Sequence, residues 1–241
     1  MRNVKNTDAD VIVIGGGAAG LMAAGRAARL GARVLLLEKT DSCGKKILVS
    51  GKTRCNLTNT AELKAFIAMY GENGRFLYSA FSRFFRPELL AFFDQYGLAT
   101  KVERGGRVFP VSNNARDVVR VFQKYLTENR VRIIFNVPVI SVVPDKQSGL
   151  IVAAAGGNFT ARTVIIATGG ASWPGTGSTG DGYAISAALG HTIVEPKPAL
   201  VPLIVRELNL AKSMQGVSLR NVRATAWQGD ASTVDAARTP A

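Results

Sequence analysis

Three glycines spaced as Gly15-x-Gly17-x-x-Gly20 follow directly on an apolar run, Ala9 to Ile14, and precede a helical run from Leu21 to Leu30. In that context the spacing points to a dinucleotide. Gly15 permits a tight turn, Gly17 lets the backbone approach a pyrophosphate, and Gly20 lets the helix pack against the strand. Gly16, Ala18 and Ala19 complete the turn, and the unpaired N–H groups of the helix N-terminus favour the anion without any basic side chain. A second apolar run, Arg33 to Leu37, ends at Glu38, about twenty residues on, where a carboxylate is placed to accept the two ribose hydroxyls.

Other reactive side chains are few. Cys43 and Cys55 are the only cysteines; they form neither C-x-x-C nor C-x-x-x-x-C, so a redox-active pair is not expected and Cys55 reads as a packing or polar-contact residue. His191 is the sole histidine. Its place just past a helix end suits capping and packing better than acid–base work. With one histidine and no cysteine cluster, no metal site is expected.

The chain has 241 residues, 47% of them hydrophobic, with a mean hydropathy close to zero. These values suit a globular α/β protein with a sizeable core. Arg2 and Lys5 before an apolar stretch imitate a signal peptide, but Asp8, Asp10 and three consecutive glycines interrupt it; neither signal peptide nor membrane span is expected. Two cysteines hold no disulfide framework, so the cytoplasm is the simplest location. The net charge of +13, from 30 basic and 17 acidic residues, raises the question of nucleic acid. The basic residues form no run of five, and anionic small molecules account for the charge equally well; nucleic acid is not the expected partner.

The elements that must position these groups follow from periodicity. Lys39 to Asn59 reads as loop. Glu62 to Tyr70 and Gly74 to Tyr96 read as helical, with a break before Pro87 and a C-cap at Gly97. The aromatic residues there read as core rather than as a flavin-stacking box. Gly105-Gly106 marks a turn, and Ser112 or Asn113 is placed to cap a helix over Ala115 to Asn129. Arg132 to Asn136, Val139 to Val143 and Leu150 to Ala154 read as strands of a small antiparallel crossover. Thr163 to Ala167 reads as a strand buried on both faces of a parallel sheet. Asp181 is placed to cap a short helix, Gly182 to Leu189. Beyond Pro196, Pro198 and Pro202, strands are expected at 203–205 and 217–227, and residues 229–241 read as a disordered or non-native tail.

Four stretches carry a resemblance. They are Gly44-Lys45-Lys46-Ile47-Leu48-Val49-Ser50-Gly51 with Arg54-Cys55-Asn56-Leu57-Thr58-Asn59; Gly106-Arg107-Val108-Phe109-Pro110-Val111-Ser112; Thr168-Gly169-Gly170 running on to Asp181-Gly182-Tyr183; and Gly190-His191 followed by Pro198 to Leu203. Together they resemble the BaiN-like, aminoacetone-oxidase-type family of FAD-dependent oxidoreductases, whose FAD domain is similar to that of glutathione reductase. The resemblance covers about Asp8 to Arg223. It departs at Lys52 and Thr53, where the family is richer in glycine, which puts backbone contact with the cofactor there in question.

The resemblance implies an α/β fold. Residues 1–198 would form a Rossmann-like FAD-binding domain, a parallel sheet with an antiparallel crossover and a helical insert at about 60–130. Residues 199–228 would begin an inserted, mainly β substrate domain. Members of that family are longer, so the chain is expected to be truncated at its C-terminus and to lack a returning segment that contacts the cofactor. FAD is the implied cofactor, reduced by NAD(P)H or by the substrate, with hydride passing through flavin N5 to or from a small organic compound. Gly15, Gly16, Gly17, Ala18, Ala19 and Gly20 would hold the pyrophosphate and Glu38 the ribose. Lys39 would flank the adenine end and Lys46 reach phosphate or ribityl oxygens. Ser50, Gly51, Arg54, Cys55 and Asn56 would face the flavin, with Thr168, Gly169, Gly170, Asp181 and Gly182 approaching from the other strand end. Two other readings stand beside this one: a non-catalytic nucleotide-binding fragment, and an RNA-associated flavoprotein. Substrate and oligomeric state are not readable.

Overall fold

The computed structural model describes residues 7–147, 149–198, 205, 207–218 and 222. It divides into two compact units, 1–196 and 197–241. In the first unit, β1 (Ala9–Ile14) leads into α1 (Ala18–Arg29) and β2 (Val34–Leu37), followed by α2 (Lys45–Val49), β3 (Thr58–Asn59) and α3 (Leu63–Ala68). Then come α4 (Tyr78–Phe81), α5 (Arg86–Gln95), β4 (Thr100–Glu103), β5 (Arg107–Pro110), α6 (Ala115–Glu128) and β6 (Arg132–Ile134). The unit closes with β7 (Val139–Asp145), β8 (Gly149–Ala154), β9 (Gly157–Ile166) and α7 (Asp181–Ala188). In the second unit the described residues include one helix, α8 (Leu208–Ser213).

The main sheet has the order β6-β2-β1-β9-β8-β7. β1 lies at its centre, parallel to β2 (Ile12 beside Leu35) and to β9 (Ile12 beside Val164). Because successive strand side chains alternate in direction, both faces of these strands must be covered. Val13 and Leu36 join Leu21, Ala24, Phe93, Val118, Phe122 and Leu126 in one core. Ile12, Ile14, Leu35 and Leu37 join Val142, Val152, Ala161 and Ile185 in the other. α6 fits the first core because its apolar residues recur every three or four positions: Val118, Val121, Phe122, Tyr125 and Leu126 are all buried. Tyr125 reaches α1 only because Gly25 has no Cβ, which would overlap the tyrosine ring.

Several expectations change. Residues 132–134 do not belong to the antiparallel part: β6 pairs parallel with β2 (Leu36 beside Ile133), and only β7 and β8 form the crossover with β9. An apolar strand this short carries no mark of its partner. The strand expected at 163–167 begins at Gly157, because its polar first half pairs with β8. The region 39–59 is not all loop, since it holds α2 and β3, and β3-β5-β4 form a small antiparallel sheet within the insert. The break expected before Pro87 is present, between α4 and α5, but the stretch ahead of it is itself divided into a 3-10 segment, Gly71–Leu77, and α4. α5 starts at Arg86 with Pro87 in its first turn, where the missing N–H costs nothing, and Glu88 accepts from the Phe85 N–H at 2.9 Å.

The cap of α6 is Asn114, whose side chain accepts from Arg116 N at 3.0 Å, rather than Ser112 or Asn113. α7 is preceded by Gly180 in the left-handed region at φ 85°, and Asp181 is its first residue, not its cap. The strands expected at 203–205 and 217–227 lie almost wholly outside the described residues, as does the tail 229–241. Among the described residues no helix is long and apolar enough to cross a membrane.

Candidate functional site

The three motif glycines do three different jobs. Gly15 sits at φ 102°, and a Cβ there would lie 2.6 Å from the Ala167 carbonyl oxygen. Gly20 is packed so closely that a Cβ would overlap the Gly15 carbonyl, which fixes α1 against the turn. Around Gly17 a Cβ would meet nothing within 4 Å. The first two glycines build the turn; the third leaves space for something else.

That space is a cavity of about 740 Å³ lined by Gly15 to Ala19, Glu38 to Thr40, Lys46, Ser50, Asn56 and the strand end at Ala167 to Gly169, among others. α1 opens onto it with Gly17 as N-cap, no side-chain cap and no acidic residue in its first turn. Its first N–H groups are therefore offered to the cavity, and the positive end of a 12-residue helix dipole lies behind them. An anion fits this arrangement, and the size is ordinary for a small-molecule site.

Glu38 stands at the end of β2, buried and only 8% exposed. Its Oε2 accepts from the Gly16 N–H at 2.6 Å, and its Oε1 accepts from the Thr40 N–H and hydroxyl, both at 2.8 Å. The carboxylate thus braces the glycine turn while lining the cavity. Beneath the turn lies Cys43, whose sulfur fills the place a Gly16 side chain would take. Burial, with the Glu38 carboxylate adding to it, pushes the Cys43 thiol up to about 12. Burial also raises Cys55, against a hydrogen bond with Ser50. Neither thiol is a nucleophile at neutral pH.

Of the three lysines in the cavity wall, Lys45 pairs with Asp41 at 2.8 Å, and Lys39 and Lys46 hold the opposite loop. Lys39 donates to Thr179 Oγ1 and Asp181 Oδ2, both at 2.6 Å. Lys46 donates to Ser178 Oγ at 2.6 Å and to the Ser172 carbonyl at 3.0 Å. The Lys39 ammonium, followed by the Thr179 hydroxyl, holds the Asp181 carboxyl below the usual range.

Of the sequence-selected residues, Gly15 to Ala19, Glu38, Lys39, Lys46, Ser50, Cys55, Asn56, Thr168, Gly169, Asp181 and Gly182 come together around the cavity. Gly20, Gly51, Arg54 and Gly170 are not in its lining. Arg54 Nη1 instead donates to both carboxylate oxygens of Glu103, at 2.9 and 3.0 Å, and its guanidinium lies 4.1 Å from the centre of the Phe109 ring, tying the loop to the small sheet. The Asn56 amide, oriented to donate, reaches the Thr58 carbonyl at 3.0 Å. His191 is exposed and outside the lining.

Lys52, Thr53 and Cys55 all have positive φ, at 56°, 66° and 61°. The departure from glycine at 52 and 53 therefore falls where glycine would be unstrained. Reading by motif missed Thr40, Ser178, Val137, Val139 and Ile185, all in the lining. Thr40 is visible as a hydroxyl two residues from the acid and Ser178 as part of the stretch from Thr168 to Tyr183; Val137, Val139 and Ile185 have no local signal. Among the described residues no cluster of His, Cys, Asp or Glu is arranged to hold a metal.

Comparison with known proteins gives a family model described as HI0933-like protein Rossmann domain, matching residues 9–231. The chain is 39% identical over 203 residues to a 3-dehydro-bile acid delta(4,6)-reductase of Clostridium scindens, covering 83% of this chain and 49% of that protein. It is 31% identical over 216 residues to a ribosomal RNA dihydrouridine synthase of Escherichia coli, covering 88% of this chain and 53% of that one. It thus spans about half the length of these relatives. Among solved structures, a flavocytochrome c3 fumarate reductase in its open conformation aligns with a TM-score of 0.62 at 20% identity, over 79% of this chain and 42% of that one. At that identity the likeness concerns the fold.

Proposed function

Since the chain belongs to the HI0933-like Rossmann-domain family, we propose that its cavity takes FAD and that the protein is a flavin-dependent oxidoreductase acting on a small organic substrate. The observation that carries this reading is the open cradle at Gly17, where an uncapped helix N-terminus faces a cavity beside a buried carboxylate. The α1 N–H groups would hold the pyrophosphate. Glu38, already placed by Thr40, would accept the ribose hydroxyls. Val137, Val139 and Ile185 supply apolar walls for an adenine ring. Ser50, Cys55, Asn56 and Thr168 to Gly169 line the remainder, where polar groups would orient an isoalloxazine ring. When bound, FAD supplies a two-electron hydride acceptor at N5, so the protein's work is to position, desolvate and hold protons in place. This chemistry calls for no thiolate nucleophile from Cys43 or Cys55 and no acid–base role for the exposed histidine.

The reductase name of the Clostridium relative supports reduction of a small organic substrate. NAD(P)H is the proposed electron donor. The test is anaerobic: protein reconstituted with FAD is mixed with NADH or NADPH while flavin absorbance is followed. Bleaching by either supports the reading. Flavin that binds but is reduced by neither nicotinamide leaves the nucleotide-binding fragment as the better description.

A second reading, action on RNA, is favoured by one surface. Phe76, Tyr78 and Tyr70 are 88%, 58% and 49% exposed, and the neighbouring Lys64, Arg75 and Arg83 are exposed as well. Aromatic and cationic groups together suit single-stranded nucleic acid, and the Escherichia coli relative is named for ribosomal RNA. Binding to single-stranded RNA that weakens steeply with salt would favour it; no binding at low salt removes it.

A further inference from the structure

Two of the lysines in the cavity wall, Lys39 and Lys46, are committed across the cavity to one loop, and the two commitments differ in kind. The loop, residues 172–181, closes on itself: Gly180 N donates to the Gly170 carbonyl at 3.2 Å, Thr176 N to Trp173 at 3.0 Å and Gly177 N to Pro174 at 2.8 Å. Compact surface loops of this type, with adjoining ends and their own internal contacts, are frequently functional. Gly169, Gly177 and Gly180 at φ 74°, 92° and 85° supply the backbone freedom around it. Thr176, Gly177 and Ser178 form part of the cavity wall, so the position of the loop sets how open the cavity is.

Lys39 holds the base of this loop through a carboxylate, Asp181, at 2.6 Å. Lys46 holds its middle through neutral oxygens only, the Ser178 hydroxyl and the Ser172 carbonyl. Both ammonium groups make charge-assisted bonds, but only Lys39 faces an opposite charge, and that pair gains a Coulombic attraction that neutral oxygens do not supply to Lys46. An anion entering the cavity therefore competes well for Lys46 and poorly for Lys39. Trp173, 67% exposed and at φ 62°, sits on the loop in a conformation that only its surroundings hold in place.

We propose that residues 172–181 form a gate over the cavity, hinged at the Lys39–Asp181 pair and locked by Lys46, and that an anion bound on the Gly17 cradle unlocks it by drawing the Lys46 ammonium from Ser178 and Ser172. The trigger rests on the dinucleotide reading of the cavity; the lock and hinge do not. Cofactor binding and access to the neighbouring space are thereby linked through one side chain.

Amide hydrogen exchange tests this in the ligand-free protein and again with FAD. Without ligand, Lys46→Met and Ser178→Ala should each speed exchange in peptides covering 172–178 by fivefold or more, leaving the β1–α1 turn unchanged. Asp181→Asn should loosen the whole stretch to 181. Molar salt should reproduce the Asp181→Asn effect in the wild type and add little in that variant. Saturating FAD should then speed exchange at 172–178 in the wild type while slowing it at 15–20, with no further increase at 172–178 in Lys46→Met. Unaltered exchange at 172–178 in both lock variants overturns the gate. If FAD leaves 15–20 unprotected, the dinucleotide reading fails and the ligand-free arm alone decides the lock and hinge.

Discussion

Gly17 and Gly20 make opposite predictions although both belong to one motif. Gly17→Ala places a methyl group in open space at ordinary extended backbone angles, so thermal stability should change little while FAD affinity falls tenfold or more. Gly20→Ala forces a methyl group into the Gly15 carbonyl, which should cost about 3 kcal/mol, at the upper end of overpacking effects. Thermal melts and flavin titrations on the two variants separate the roles. Thr53 is strained in the left-handed region at φ 66°, where a β-branched side chain costs roughly 1–2 kcal/mol. Thr53→Gly should therefore stabilise the protein by about 0.5–1 kcal/mol after the greater freedom of glycine in the unfolded chain is subtracted; a lower denaturation midpoint would show that the loop is relaxed as it stands. The buried Cys43, with its thiol pushed up to about 12, should resist alkylation at pH 8 until the protein unfolds. At this scale the sequence was most readable where a residue type answers to a backbone demand, as at Gly15 and Gly20. It was silent on the internal bonds of Glu38, since nothing in a run of residues tells a carboxylate which N–H it will meet.

The central strand β1 is fastened at its start by two carboxylates. Asp8 accepts from the Thr160 N–H and hydroxyl of β9, both at 2.7 Å, and Asp10 accepts from Arg33 N at 2.9 Å and pairs with its guanidinium at 3.1 Å beside β2. These bonds lower both carboxyls below their ordinary value of 3.8. A carboxyl depressed in the folded state contributes stability that is complete above the unfolded value and lost as pH falls through the folded one. Stability should therefore decline below about pH 4, and Asp8→Asn should flatten that decline in acid denaturation curves. An unchanged acid limb would show that the Asp8–Thr160 clip has no energetic weight. Strands β1, β2 and β9 were legible because their apolar runs are long enough to announce burial. The partner of β6 is not legible because three residues fix no pairing, and α2 is not legible because a five-residue helix between glycines resembles a loop. The broken helices before Gly97 followed from Pro87 and from aromatic spacing that fits several short helices as well as one long one.

For the molecule as a whole, the residues that line one cavity come from the first β–α–β unit, the following loop, α5, α6, the β6–β7 connection, the end of β9, the loop after it and α7. A parallel sheet assembles such distant segments at its carboxyl end, which is why a motif of six residues could identify the site while Val137 and Val139 gave no sign of belonging to it. The family match, the α/β sheet and the open cradle agree on a dinucleotide, and the chain spans about half the length of the relatives it resembles. The direct test is an equilibrium titration of the purified chain with FAD, read by quenching of flavin fluorescence, beside the same titration of Gly17→Ala. Saturable one-to-one binding in the wild type, weakened tenfold or more in a variant that melts at the same temperature, is the predicted result. Absent binding, or binding indifferent to Gly17→Ala, would contradict it.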